Sequence, residues 1–242
     1  MGVGYRVLRS VARLAFAAQM RLEVSGAERL PPDGSVLFVS NHLGPTDQFA
    51  IAMRLPHELR ILAKAEVFEW PILGWLARRG EAIPIRRGEA DREALRTLRA
   101  LMLRGASALV FPEGTYVDAH EPLGMIPVKT GAAWLAWHTG ATVVPVAITG
   151  TEIIWAPGRG WRLWQFWRRS RVRVVFGEPY RPVWPAGVAP KVAWRIAADE
   201  MALRIAALLP EGYRGVYALP TPATTEETSG ATLLPQSGMG FV

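Results

Sequence analysis

The sequence has 242 residues, half of them apolar, which suits one α/β-sized domain with a substantial core. Its formal net charge is +7, and of the 28 basic residues 25 are arginine and three are lysine. This favours phosphate- or carboxylate-bearing partners and leaves nucleic acid, an anionic membrane and a phosphorylated small molecule open. The absence of cysteine excludes disulfide frameworks, thiolate metal sites and cysteine nucleophiles.

Residues 1–24 are predicted to form a basic amphipathic helix, with Arg6, Arg9 and Arg13 at helical spacing on one face. Such a helix can lie in a membrane interface, or it can pack on its own domain with a solvated basic face. The apolar core LAFAA is too short for a secretory signal peptide. No segment has the roughly 18 consecutive apolar residues of a membrane span. We therefore expect the protein to remain on the cytoplasmic side.

Strands and helices are then predicted to alternate along the chain. The predicted strands are SVLFV (35–39), EAIPI (81–85), SALVF (107–111), ATVVPVAITG (141–150) and RVRVVFG (171–177). The predicted helices are DQFAIAMRL (47–55), PILGWLARR (71–79), EADREALRTLRALMLR (89–104), KTGAAWLAWHTG (129–140) and KVAWRIAADEMALRIAALL (191–209). The pattern predicts a single layered α/β domain, residues 25–218, with a largely parallel central sheet flanked by helices. Residues 219–242 are rich in Thr, Pro, Gly and Ser, which predicts a disordered tail.

The stretch NHLGPTD after the first of these strands contains a histidine and an aspartate, His42 and Asp47. On a regular helix five residues would separate them by about 140°, but Gly44-Pro45 favours a turn. A turn can bring the carboxylate to one imidazole nitrogen, as in a base and its orienting acid. Alternatively, Asp47 only caps a helix and His42 only ends a strand. No Gly-x-Ser-x-Gly elbow supplies a nucleophile, so the attacking hydroxyl would come from the substrate.

A second candidate stretch, FPEGT, follows the strand predicted at 107–111 and contains Glu113. Functional groups gather beyond the carboxyl ends of parallel strands. If the two strands are parallel neighbours, His42 and Glu113 lie at one edge of the sheet. The remaining histidines form no metal-ligand spacing, so no metal site is expected.

Four stretches together resemble the glycerolipid acyltransferases, the lysophosphatidic acid acyltransferase family. NHLGPTD is similar to that family's Asn-His-x-x-x-x-Asp motif, and FPEGT to its Phe-Pro-Glu-Gly-Thr-Arg block. GEAIPIRR (80–87) resembles the block between them, and VPVAITG (144–150) the fourth block. Their order and separations agree over about residues 25–185. The resemblance implies a glycerol-3-phosphate acyltransferase-like fold.

The resemblance also implies an activity: an acyl group passes from acyl-CoA or acyl carrier protein to the hydroxyl of a lysophospholipid, with lysophosphatidic acid expected, in phospholipid biosynthesis. His42 would accept the hydroxyl proton and Asp47 would orient the imidazole. No cofactor is implied. The residues expected to bind the acceptor are Arg86, Arg87, Glu113, Gly114 and Thr115; of these, the resemblance assigns Arg87 to the acceptor phosphate and Glu113 and Gly114 to acceptor binding.

Two positions depart from the family pattern. Tyr116 stands where the third block usually has Arg, and Arg86 stands where the second usually has Asp. Either Arg86 replaces the lost phosphate contact, or the acceptor is a lysolipid other than lysophosphatidic acid. A non-catalytic lipid-binding protein and a thioester hydrolase are further alternatives.

Residues 155–173 combine tryptophans with six arginines and no acidic residue. This composition is typical of a membrane interface, where indoles lie at headgroup depth, although single-stranded nucleic acid can also stack on such residues. A basic loop at the edge of the sheet is the third alternative. The family resemblance favours an anionic membrane over nucleic acid, so a peripheral location at the cytoplasmic face of the membrane is expected. The predicted membrane-binding residues are Trp161, Trp164, Trp167, Arg168 and Arg169.

Overall fold

The computed structural model describes residues 20–32, 34–53, 55, 59–85, 92–115, 124–154 and 170–218. Within these ranges seven strands form one sheet. The strands are β1 (Met20–Ser25), β2 (Val36–Ser40), β3 (Leu59–Lys64), β4 (Ile83–Ile85), β5 (Ser107–Val110), β6 (Thr142–Thr149) and β7 (Ser170–Phe176).

The sheet has the order β1-β7-β6-β2-β5-β3-β4. Five of its neighbouring pairs are parallel, and only β6 and β7 pair in the antiparallel sense. The prediction of a layered α/β domain with a largely parallel sheet is confirmed. Strand β2 lies between β5 and β6 at the centre of this sheet, and all five of its residues are buried, so both of its faces are covered.

Five α-helices accompany the strands in the described part of the chain. They are α1 (Asp47–Ala52), α2 (Pro71–Arg79), α3 (Arg92–Met102), α4 (Gly131–Thr139) and α5 (Pro190–Leu208). Each falls inside or within a residue of a helix that the sequence predicted. Pro71 and Pro190 stand at the start of α2 and α5, and Gly140 ends α4. None of the helices among these residues is long and apolar enough to cross a bilayer.

The core consists of two apolar clusters, one on each face of the sheet. Leu37 and Val39 of β2 point into the cluster formed with α3, α4 and α5. Val36 and Phe38 point to the opposite face, into the cluster formed with α1 and the buried residues of β6 and β7. This alternation is the period of two of a strand buried on both sides, and it fixes the direction in which β2 delivers its last residues.

The register of the central strands places both candidate motifs at one edge. Val39 of β2 pairs with Val110 of β5 in a parallel ladder. The chain therefore leaves the two strands at the same end of the sheet, with His42 three residues after Val39 and Glu113 three residues after Val110. The parallel pairing that the sequence analysis required for a shared site is present.

Two elements of the structure differ from those that the sequence predicted. Residues 20–24, predicted as the end of an N-terminal helix (1–24), lie instead in β1 (Met20–Ser25), which pairs with β7 in a six-residue parallel register; residues 1–19 lie outside the described residues. Strand β3 was not predicted, since Arg60 and Lys64 interrupt its apolar run. Arg60 is accommodated by an ion pair of 2.7 Å with Glu81. The tail predicted over residues 219–242 also lies outside the described residues.

Candidate active site

The chain reverses between the end of β2 and the start of α1. The Asp47 backbone N–H donates to the Gly44 carbonyl at 3.2 Å, which closes the Gly44-Pro45 turn. The Asp47 carboxylate then points back towards the strand, where its Oδ2 accepts the backbone N–H groups of Leu43 at 2.6 Å and Gly44 at 3.0 Å. The turn therefore holds this carboxylate in one orientation.

The same carboxylate oxygen contacts the imidazole of His42. The distance from His42 Nδ1 to Asp47 Oδ2 is 2.8 Å, with the Asp47 side chain fully buried and that of His42 13% exposed. Because an ionised carboxylate only accepts hydrogen bonds, the contact assigns the imidazole proton to Nδ1, which donates it to Asp47 Oδ2. Nε2 is then the unprotonated, basic nitrogen of the ring. The arrangement is that of a general base with its orienting acid.

Two further contacts fix the position of this pair. The His42 ring stacks on the Phe111 ring, with centroids 3.9 Å apart and an interplanar angle of 14°. Asn41 donates from Nδ2 to the Ile148 carbonyl at 2.9 Å and accepts the Ile148 N–H at 2.8 Å. Because Asn41 clamps β2 to the neighbouring β6 and Phe111 holds the ring plane, the imidazole has little freedom to turn.

Glu113 supports the same loop from the end of β5. Its Oε1 accepts the His42 backbone N–H at 2.9 Å, and its Oε2 accepts the Ile126 backbone N–H, also at 2.9 Å. The residue is 2% exposed. Burial raises the pKa of Glu113 from 4.5 to about 7. The two N–H donors lower this pKa, and the negative charge of Asp47 raises it. Glu113 thus joins two loops and titrates near neutrality.

A cavity of about 980 Å³ opens beside His42. Its apolar wall includes Leu95, Phe111, Trp134 and Trp194. None of the described residues that line it is acidic, and six of them carry a positive charge: Lys64, Arg92, Arg96, Lys129, Lys191 and Arg195. The cavity therefore offers an apolar surface and an anion-attracting surface to one ligand, with the base at its wall.

The family model described as Acyltransferase matches residues 21–149, more than half of the chain. The chain belongs to the acyltransferase family. The matched residues contain the His42–Asp47 turn, the Glu113 turn and strands β1 to β6.

Individual relatives agree with this assignment. The lyso-ornithine lipid O-acyltransferase of Pseudomonas aeruginosa is 37% identical over 140 residues, 57% of this chain and 51% of that protein. The chloroplastic 1-acyl-sn-glycerol-3-phosphate acyltransferase BAT2 of Brassica napus is 30% identical over 162 residues, 66% of this chain and 45% of that protein. The chain thus spans about half the length of these curated relatives.

A solved structure shares the fold. The 1-acyl-sn-glycerophosphate (LPA) acyltransferase PlsC of Thermotoga maritima superposes with a TM-score of 0.61 at 23% identity, over 81% of this chain and 75% of that one. The glycerolipid acyltransferase-like α/β fold that the sequence motifs implied is confirmed by this likeness.

The structure places the predicted site residues in three groups. His42, Gly114 and Thr115 line the cavity of this acyltransferase-family protein, and Asp47 lies directly behind His42. Glu113 is close by, but both of its carboxylate oxygens are occupied by backbone N–H groups. The remaining predicted site residues lie outside the described residues: Arg86, Arg87, Trp161, Trp164, Trp167, Arg168 and Arg169. Tyr116, the departure from the family pattern, lies outside them as well.

The lysines that line the cavity were not among the predicted site residues. The chain contains three, Lys64, Lys129 and Lys191, and all three line the cavity. Their scarcity among 25 arginines was the one signal that the sequence offered. Among the described residues no group of three or more His, Cys, Asp or Glu side chains could hold a metal ion.

Proposed function

We propose that the protein transfers an acyl group from a thioester donor, acyl-CoA or acyl carrier protein, to the hydroxyl of a lysophospholipid in phospholipid biosynthesis. The observation that carries the proposal is the His42–Asp47 pair, 2.8 Å apart, at the wall of a cavity whose described charged residues are all cationic. The cavity lining that the structure describes contains no serine or cysteine, and a base there suits direct attack by a hydroxyl that the acceptor brings.

The reaction needs one proton carrier and no covalent enzyme intermediate. His42 Nε2 takes the proton as the acceptor oxygen bonds to the thioester carbonyl carbon. The carbon–sulfur bond then breaks, and the imidazolium returns the proton to the leaving thiolate. Asp47 stabilises the imidazolium between these events through the bond to Nδ1. No cofactor takes part in this scheme.

The charge of the cavity favours a phosphate-bearing acceptor, lysophosphatidic acid. A phosphate monoester carries up to two negative charges, and several cations are needed to bind it away from water. Lys129 is the first of these, because its Nζ lies beside Gly114 in the turn next to His42. We also propose that Arg86 and Arg87, with Gly114 and Thr115, contact the acceptor.

Acylation of a lyso-ornithine lipid is the second candidate, favoured by the 37% identity with the Pseudomonas aeruginosa protein of that name. An ornithine headgroup carries a carboxylate as well as an ammonium group and is close to neutral, whereas a phosphate monoester brings up to two negative charges to the cationic wall of the cavity. This electrostatic argument ranks the phosphate-bearing acceptor first.

We further propose that the protein works at an anionic membrane surface on the cytoplasmic side. Two tryptophans between β3 and β4, Trp70 and Trp75, are 54% and 52% exposed. Half-exposed indoles are typical of groups that lie at headgroup depth. Strand β3, which precedes them, ends at the cavity residue Lys64, so a bilayer in contact with them would lie near the cavity.

Thiol release from acyl-CoA tests the activity. The purified protein is mixed with palmitoyl-CoA and, in separate reactions, lysophosphatidic acid, a lyso-ornithine lipid, lysophosphatidylcholine or no acceptor. The proposal predicts thiol release that depends on lysophosphatidic acid, with phosphatidic acid as product. Release without any acceptor identifies a thioester hydrolase, and preference for the lyso-ornithine lipid reverses the ranking of acceptors. Acyl carrier protein replaces CoA in a parallel series.

A further inference from the structure

The residues between the Glu113 turn and α4 form an irregular connection, residues 124–130, which we name the connecting segment. Its backbone N–H groups have no helix or sheet partners and must be satisfied in another way. Ile126 donates to Glu113 Oε2 at 2.9 Å, and Lys129 donates to the Pro112 carbonyl at 2.8 Å. Two of its donors are therefore bound to the turn that supports His42.

Two more of its donors are bound to the end of the described chain, residues 210–218, which we name the C-terminal segment. Met125 donates to the Tyr213 carbonyl at 3.1 Å, and Val128 donates to the Tyr217 hydroxyl at 3.0 Å. In return, the Val216 N–H donates to the Met125 carbonyl at 3.0 Å. The connecting segment is thus held between the active-site turn and the C-terminal segment.

Glycine permits this close contact. Gly215 has φ +53°, and a Cβ built on it would lie 2.1 Å from the Met125 carbonyl oxygen. The C-terminal segment is also fixed to the sheet, because the Tyr213 hydroxyl donates to Glu152 Oε1 at 2.9 Å. Glu152 Oε2 in turn accepts the Gly150 N–H at the end of β6, at 2.8 Å. A side chain at position 215 would force these elements apart.

A continuous set of contacts leads from Tyr217 to the base. The Tyr217 hydroxyl accepts the Val128 N–H, and Ile126, two residues before Val128, donates its N–H to Glu113 Oε2. Glu113 Oε1 accepts the His42 backbone N–H. From these contacts we infer that the C-terminal segment is a positioning element of the active site, with Tyr217 as its principal positioning residue. The inference rests on the proposed function. The segment lies beyond residues 21–149, which the family model matches.

The first test compares two hydroxyl deletions in the full chain. Tyr217→Phe keeps the aromatic ring and removes the hydroxyl that accepts the Val128 N–H. Val128 is a buried residue. Tyr180→Phe is the matched control, because the buried Tyr180 hydroxyl has no hydrogen-bond partner among the described residues. With palmitoyl-CoA and lysophosphatidic acid, Tyr217→Phe is expected to lower kcat about tenfold, since small displacements of a reacting group are costly. The control is expected to retain the wild-type kcat.

A pH profile distinguishes positioning from general loosening. The groups around Glu113 are the N–H donors of His42 and Ile126, which lower its pKa, the Asp47 carboxylate, which raises it, and the Lys129 ammonium beside Gly114. A weaker Ile126 donor raises the Glu113 pKa further. The acidic limb of the kcat profile should therefore move to higher pH in Tyr217→Phe and not in Tyr180→Phe. Identical kcat values and limbs in the two variants overturn the inference.

Amide exchange gives a readout that does not depend on catalysis or on recovery of the variant. The wild-type protein is exchanged in low, sub-denaturing urea and analysed by peptide mass spectrometry. The inference predicts that peptides covering residues 40–44, 124–130 and 210–218 lose protection together. Opening of 210–218 without any change at 40–44 overturns it. If wild-type protein releases no thiol with any acceptor while these peptides open together, the proposed function has failed and the structural coupling stands.

Discussion

Glu113 accepts the backbone N–H of His42 at 2.9 Å, across 71 residues of sequence. The contact joins the ends of two central parallel strands and sets the position of the loop that holds the base. A carboxylate in this place supports the imidazole through its backbone, while Asp47 supports it through the ring. Two acids with different partners therefore act on one histidine, and each can be tested separately.

Replacement of His42 by Ala is expected to lower acyltransfer turnover by about 10² to 10⁴ fold, the usual contribution of a positioned general base. Asp47→Asn should be comparably severe, because its amide can present an N–H to Nδ1 and hold the wrong tautomer. Thiol release from palmitoyl-CoA with lysophosphatidic acid measures both. Circular dichroism confirms that the variants are folded, and a folded His42→Ala protein with wild-type turnover rejects the mechanism.

The stability of the protein should depend on the ionisation of Glu113. Because its pKa is raised from 4.5 to about 7, the folded state binds more protons than the unfolded chain between these values. The free energy of unfolding therefore falls as pH rises through this window. Glu113→Gln removes the titrating group. The free energy of unfolding of the wild type minus that of the variant should therefore fall by about 3 kcal/mol as pH rises across the window. Urea unfolding at a series of pH values measures this, and parallel curves contradict it.

Lys129 should contribute to the affinity for a phosphate-bearing acceptor. Lys129→Gln removes a cation that lies beside Gly114 at the cavity wall. The KM for lysophosphatidic acid is expected to rise about tenfold, in line with the loss of one charge-assisted hydrogen bond. Arg204→Gln serves as the control, because Arg204 pairs with Glu200 on α5 and does not line the cavity. A KM that changes equally in both variants would show that only the overall charge matters.

Part of this arrangement could be predicted from the sequence and part could not. The apolar runs before NHLGPTD and FPEGT predicted two strands, and the parallel pairing of these strands in the structure brings His42 and Glu113 to one edge. Strand β3 was not predicted because Arg60 interrupts its apolar run. The charge of Arg60 is paired with Glu81, 21 positions away, and no local sequence pattern indicates such a pair. The partners of Glu113 were equally hidden, because backbone N–H groups carry no sequence signal.

Attachment to the membrane surface should depend on Trp70 and Trp75. Trp70 and Trp75 are exposed between β3 and β4, and the Arg79 guanidinium lies 5.2 Å from the Trp75 ring centroid. The double variant Trp70→Ser, Trp75→Ser is expected to lower the partition coefficient on anionic vesicles at least tenfold, because transfer of each indole to the headgroup region is favourable. Trp137→Ser, which alters another exposed indole on α4, is the control and should bind as wild type does. Sedimentation with vesicles of phosphatidylglycerol and phosphatidylcholine measures the three proteins. Equal binding by the double variant and the control would show that this surface does not contact the membrane.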